Sequence, residues 1–320
     1  MTRNNSNSEF NKESPLYQLF VSLLIVLAGG ILLFSFLLLA GKFIFDVDFK
    51  LLEDPSLATG GKEVALLRYI LISQDISFFI VPAVIILLKL NPGYKTGIMN
   101  IKMPQISDII LVVLLTFCLI PVTSFTGQLN SGMDLPDWLS GVEQWMKEKE
   151  NYATHLLDIL MTPDSFRAMI LNIFLIAAMP AIGEELIFRG VFQKIFQNLF
   201  SSGHISVWVT SFLFSTIHFQ FFGFVPRFIL GLVFGYLFLW SKSLWLPVIS
   251  HFINNAVPTV GAYLKGWETI NESADLSIWK QLMVVTVPVT MGIVILVYFR
   301  NKSRKNRSAD HYKPEITNND

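Results

Sequence analysis

Eight apolar runs dominate this chain, each close to the ~20 residues that a helix needs to cross a ~30 Å hydrocarbon core. They lie near residues 16–44, 66–90, 107–127, 166–200, 204–220, 222–240, 244–264 and 277–299. Inside lipid a backbone amide has no water to bond. Each run must therefore satisfy its own N–H and C=O groups, which a helix does and an open strand does not. The expected fold is all-α: a polytopic membrane helix bundle of about eight transmembrane helices. A polar N-terminal tail (1–15), a membrane-embedded domain (16–300) and a basic, polar C-terminal tail (301–320) follow from the same runs. The first run is too long for a signal-peptide core and lacks a small-x-small cleavage site, so it reads as a retained span.

Composition narrows this reading. Charged residues make up 15% of the chain, against roughly 25% in a soluble domain. Formal net charge is zero, so no bulk field points to a nucleic-acid partner. Cys118 is the single cysteine, which rules out an intrachain disulfide and a cysteine metal cluster. Arg300, Lys302, Arg304, Lys305 and Arg307 follow the last run, and cytoplasmic segments carry the excess of Lys and Arg. An even number of spans then puts the N-terminus on the same side, together with the 91–106 loop and its Lys95 and Lys102. A multi-pass protein of a bacterial inner membrane, with both termini cytoplasmic, is expected. Trp138, Trp145, Trp267 and Trp279 stand near run ends, as an aromatic belt would place them. Gly231 and Gly235 have the spacing that permits close helix contact.

The chemistry is concentrated in polar groups within these runs. Residues 184–189 read Glu-Glu-Leu-Ile-Phe-Arg. A charge at the bilayer centre costs roughly 2.5–3.5 kcal/mol on insertion scales, so such groups usually face a protein interior. Glu185 and Arg189 are four apart and can pair on one helix face. Glu184, rotated by ~100°, is left as the freer carboxylate. Ser201-Ser202-Gly203 reads as a hairpin turn, with Glu184 17 residues before Ser201 and His218 17 residues after it. Antiparallel helices would bring both to similar depth, where a carboxylate beside an imidazole can hold and deprotonate a water. His251, Asn254 and Asn255 share one face of the seventh run. Imidazole and amide groups there can support an oxyanion or ligate a metal.

Plainer readings exist for each group. A lone membrane Glu–Arg pair can be structural glue, and a lone histidine a packing residue. Asp75 could line a cavity or pair with a base. Arg227, near a span end, is expected to snorkel to the interface, and His155 and His204 read as loop or interface residues. A His-Glu-x-x-His helix is absent, so zincin chemistry is not indicated.

Glu184-Glu185-x-x-x-Arg189, Phe214-x-x-x-His218 and His251-x-x-x-Asn255 occur in that order. The ordered set resembles the CPBP family of CAAX-processing endopeptidases, which includes the Ras and a-factor converting enzyme and bacteriocin-processing and self-immunity proteins. The match covers a protease-like core at about 166–264. The resemblance implies an α-helical intramembrane endopeptidase in which Glu184 activates the nucleophilic water and His218 helps to hold it. His251 and Asn255 would support the oxyanion or a metal, and Glu185 and Arg189 would orient the site. Zinc on Glu184, His218 and His251 is one expectation; a metal-free glutamate mechanism is slightly preferred, because a base that is also a ligand is a poorer base.

The leading expectation is therefore hydrolysis of a peptide bond near the cytoplasmic half of the bilayer. The partners would be a membrane-associated protein or peptide substrate and the lipid itself. A non-catalytic immunity or regulatory partner is the first rival. A transporter or proton relay is the second, and the lack of inverted repeats weighs against it.

Overall fold

The computed structural model describes residues 13–46, 49–52, 54–58, 60–90, 103–133, 135–161, 165–265 and 278–311. Among them there is no strand. The helices are α1 (Pro15–Phe45), α2 (Gly61–Lys89), α3 (Ile106–Ser131), α4 (Ser140–Leu160), α5 (Phe166–Phe200), α6 (Gly203–Thr216), α7 (Phe224–Ser241), α8 (Trp245–Lys265) and α9 (Ile278–His311). All eight apolar runs are helical. Only six of these helices are long and apolar enough to cross a membrane, namely α1, α2, α3, α5, α7 with its leading 3-10 turn, and α9. The expected all-α bundle is present, and six of the eight expected spans meet this criterion among the described residues. The two that fall short are the 14-residue α6 and the polar α8, whose face carries His251, Asn254 and Asn255. Lys95, Lys102 and Trp267 lie outside the described residues, as does the side chain of Trp279.

Local signals explain the breaks. Ser165 caps α5, accepting from Ala168 N at 3.2 Å. Ser201 adopts the left-handed conformation (φ 51°) that stops α5, and Ser202 then caps α6 through Ile205 N. Lys242 (φ 59°) ends α7 in the same way. Three π-helical stretches interrupt the helices near the site: Ile76–Ile80 in α2, and Ile173–Ala178 and Leu186–Phe192 in α5. Such bulges shift which residues face a neighbour and are common at functional sites.

Two apolar cores flank the centre. One joins Ala83, Ile86 and Leu87 of α2 to Ile187, Phe188, Val191 and Phe192 of α5. The other joins α3, α7, α8 and α9 through Leu115, Phe234, Leu237, Leu246 and Phe299. Lipid tails are as apolar as these side chains, so close packing and hydrogen bonds hold such helices together rather than water exclusion. Gly231 and Gly235 illustrate this. A Cβ at Gly231 would stand 3.1 Å from Ser211 Cα, and one at Gly235 2.9 Å from Val207 Cγ1, so the glycines let α7 lie against α6.

The bundle has two distinct ends. At one, the first turns of α1 pack on the last turns of α5. The same end carries Lys302 of α9, which donates to both carboxylate oxygens of Asp108, at the start of α3 (2.7 and 2.8 Å). Arg300, Ser303 and Arg304 line a cavity there with Ser201, Gly203 and His204. This is the terminal end. The far end carries the end of α3, the 217–223 loop and the amphipathic α4. Asn130 of α3 donates to Phe221 O (2.8 Å) and accepts from Val225 N (3.0 Å). The Trp145 ring of α4 stands 5.3 Å from that of Phe221.

Candidate active site

Between the two cores α5 presents Glu184, Glu185 and Arg189, all buried, with Glu185 and Arg189 fully so. Gly183 lets this part of α5 pass tight against α2, where an added Cβ would meet Phe79 Cβ at 3.0 Å. Arg189 Nη1 donates to Glu185 Oε1 at 2.6 Å, and Nη2 donates to Gly231 O on α7 at 3.0 Å. Its guanidinium also lies 4.9 Å from the Phe214 ring centroid and 5.4 Å from that of Phe234. One turn on, Gln193 Nε2 donates to Gly235 O at 3.0 Å. The α5–α7 contact is thus a pair of rungs with one register, fixing the depth of the acidic pair.

The two histidines meet this pair from other helices. His251 Nδ1 lies 3.0 Å from Glu185 Oε1, and the Phe234 ring stacks on the imidazole at 5.2 Å between centroids. His218 follows α6, and its Nδ1 lies 2.7 Å from Phe214 O. A carboxylate and a carbonyl can only accept, so in both rings Nδ1–H is the donor, and in the neutral imidazole Nε2 is left bare. Both bare nitrogens face Glu184 Oε2, at 3.9 Å from His218 and 4.0 Å from His251. Glu184 Oε2 has no hydrogen-bond partner. Three acceptors therefore converge with no donor between them. A water, with two protons to give, is the smallest species that fits such a gap.

The donor chemistry also fits a divalent cation: one carboxylate oxygen and two imidazoles, each imidazole oriented by a bond from its other nitrogen. Glu184, His218 and His251 would hold it. Tetrahedral zinc with bonds of ~2.0–2.2 Å wants ligand atoms ~3.4 Å apart, and the observed 3.9 and 4.0 Å are wider. Among the described residues no group of three or more His, Cys, Asp or Glu side chains is spaced to hold a metal.

Asn255 also has a packing contact. Its Nδ2 donates to Ile176 O in a π-helical stretch of α5 at 3.3 Å, and its Oδ1 accepts from Asn254. The amide holds α8 against α5 and keeps one N–H to spare.

Several site residues were not singled out from the sequence, or were read differently. Arg227, in the first turn of α7, bonds the 217–223 loop. It donates to Gln220 O at 3.1 Å and bonds the Gln220 side chain, and it interacts electrostatically with Glu184, His218 and Glu150. Glu150 comes from α4, and its Oε2 is buried without a hydrogen-bond partner. Asp75 of α2 is buried and interacts electrostatically with Glu184. Phe214 and Phe234 wall the guanidinium, and Gln193 supplies the second rung. In the sequence the Phe214 and Gly231/Gly235 motifs, and the reading of Asp75 as a group lining a cavity, gave signs of this.

The site is open on one side. Side-chain exposure rises from 0% at Glu185 and Arg189 through 6% at His251 and 10% at Glu184 to 24% at His218. Toward the terminal end Arg189, Gln193 and Phe234 seal it. Toward the far end it meets the 217–223 loop, Arg227 and α4. This opening points away from the start of α1 and the end of α9.

Residues 166–257 match the family described as type II CAAX prenyl endopeptidase Rce1-like. This core is similar to that family. It contains every motif side chain of the site. An uncharacterized protein of Bacillus subtilis (strain 168), YpbD, is 29% identical over 90 residues, 27% of this chain and 43% of that protein. The chain thus spans less than half the length of this curated relative. No solved structure matches. The matched segment sits within a bundle that has six helices long and apolar enough to cross a membrane, which supports an integral membrane protein.

Proposed function

We propose that this protein hydrolyses a peptide bond of a membrane-associated polypeptide by glutamate-activated water. The observation that carries the reading is the convergence of Glu184 Oε2 with two bare imidazole nitrogens, at 3.9 and 4.0 Å, around a gap that lacks a donor. A water held there gives one proton to Glu184 as its oxygen attacks the scissile carbonyl carbon. The carbonyl π electrons move to oxygen, and the spare N–H of Asn255 lies on the helix face from which it can bond that oxyanion. Glu184 then returns the proton to the departing amide nitrogen, the C–N bond breaks, and a carboxylic acid and an amine leave. A divalent cation bound by Glu184, His218 and His251 would polarise the water and the carbonyl.

Glu185 and Arg189 act on orientation. Glu185 fixes the His251 tautomer, and Arg189 holds Glu185 and ties it to α7. The orientation that we propose has both termini cytoplasmic, on the strength of the basic run at 300–307. The reading is tested by comparing protein termini in membranes of cells carrying the wild type or Glu184→Gln. Termini that vanish in the variant support it. Identical terminal sets, with both proteins folded at equal level, overturn it.

A further inference from the structure

The opening of the site and the distribution of charge together assign a side of the membrane, and with it a class of substrate. This inference rests on the peptidase reading and on the proposed orientation. The α5–α6 turn, the start of α1, the start of α3 and the basic end of α9 all belong to the terminal end. In sequence, the segments joined to that end are cationic apart from the N-terminal tail, where Arg3 and Lys12 are balanced by Glu9 and Glu13. The α2–α3 link carries Lys95 and Lys102 and no acid, the α7–α8 turn carries Lys242, and α9 runs out through Arg300 to Arg307. The far-end segments hold fewer cations, with Lys50 between α1 and α2, Lys147 and Lys149 in α4 and Lys265 at the end of α8, among a larger number of acids. Cations gather on the cytoplasmic side of a membrane protein, so the far end is extracytoplasmic.

The site opens to that end. Glu185, Arg189 and Gln193 close it from the cytoplasm with full burial, whereas His218 is more exposed than Glu184, Glu185, Arg189 or His251 and stands at the start of the 217–223 loop. Helix α6 has 14 residues, about 21 Å at ~1.5 Å per residue. That is shorter than the ~30 Å hydrocarbon core, so the loop with His218 sits below the outer surface, a recess that water and an extended peptide can enter. Above it α4 bridges the mouth. Trp145 packs on Phe221, Glu150 faces Arg227, and at the other end of α4 Leu156 and Ile159 pack on Leu51, Leu66 and Leu67.

We infer that this peptidase acts at the extracytoplasmic face, on a polypeptide anchored in or against the outer leaflet, and not on the cytoplasmic lipidated C-termini for which its family is named. The test uses the full chain with Cys118, its single cysteine, replaced by Ser. Cysteines are then introduced singly at the exposed Trp138 and Gly141 of the far end and at Asn306 of the terminal end. A membrane-impermeant maleimide applied to spheroplasts should label Trp138→Cys and Gly141→Cys directly, and Asn306→Cys only after permeabilisation. Labelling in detergent shows that each thiol reacts. The reverse pattern overturns the inference and leaves the peptidase reading standing, since labelling does not depend on catalysis. A second arm locates the termini that depend on Glu184. Extracytoplasmic positions support the inference and cytoplasmic ones overturn it. No dependent terminus anywhere, with the expected labelling, removes the peptidase reading and the substrate assignment while keeping the orientation.

Discussion

His251 donates through Nδ1 to Glu185 Oε1 across 3.0 Å, and by doing so turns a bare Nε2 toward Glu184. The two adjacent glutamates thereby differ in surroundings: one pairs with Arg189 and accepts from His251, and the other keeps an oxygen, Oε2, without a hydrogen bond. The following expectations derive from this difference and from the packing that enforces it.

Glu184→Gln preserves shape and removes the base. Loss of a general base typically costs 10²–10⁴-fold in rate, so turnover of a cleaved peptide should fall by about that much. The thermal midpoint in detergent should stay close to wild type. A Gln variant with more than a tenth of wild-type rate would require another base.

Arg189→Ala should act on the fold instead. It leaves Glu185 buried and uncompensated and removes the rung to Gly231. Breaking a buried pair costs roughly 3–5 kcal/mol, enough to lower the yield of folded protein severalfold. Arg189→Met with Glu185→Leu should recover much of that stability without activity, because His251 loses its acceptor. Equal melting behaviour of Arg189→Ala and Glu184→Gln, read by size-exclusion and thermal scans, would contradict a difference in role.

Glycine substitutions separate packing from propensity. Gly231→Ala forces α7 away from Ser211 Cα, 3.1 Å from the new Cβ, and overpacking of this kind costs about 1–3 kcal/mol. The shift also lengthens the Arg189–Gly231 bond. Gly29→Ala meets nothing within 4 Å and should be neutral or slightly stabilising. Chemical denaturation of the two variants in parallel checks the contrast.

Docking of α4 should depend on pH. Burial raises the Glu150 carboxyl above the ordinary carboxylate range, opposed by the positive charge of Arg227. Between its unfolded value and the raised folded value the docked form holds a proton that the undocked form has lost, so docking weakens as pH rises through that window. Hydrogen exchange of residues 140–160 should be slower at pH 5 than at pH 8 after correction for the intrinsic rate. Glu150→Gln should flatten the dependence. An unchanged slope in the variant would assign it to another group.

The relation between sequence and structure is uneven for physical reasons. Eight apolar runs were legible because lipid leaves the backbone no choice but a helix. Their status as full spans was less so, since α6 and α8 give up length or apolarity to carry the site. The turn at Ser201 could be read from its serines and glycine, and counting from it put Glu184 and His218 at one depth. In the structure their side chains are 3.9 Å apart. The basic tail, likewise, is visible in the sequence without any fold.

What the tertiary structure alone decided is which neighbour each polar group faces. Arg227 looked like a snorkelling residue because its run ends nearby, and in the structure it bonds Gln220 of the 217–223 loop. Asn255 looked like an oxyanion donor, and one of its amide hydrogens goes to Ile176 O because a π-helical stretch brings that carbonyl close. The direction in which the site opens follows from the short α6 and from α4, an amphipathic helix with no motif. The sequence by itself determined the membrane bundle, its helices and the acid and imidazole groups within them, because hydropathy and spacing are local. The tautomers, the Gly231 and Gly235 rungs and the far-end mouth depend on contacts between residues distant in the chain, which only the packed bundle creates.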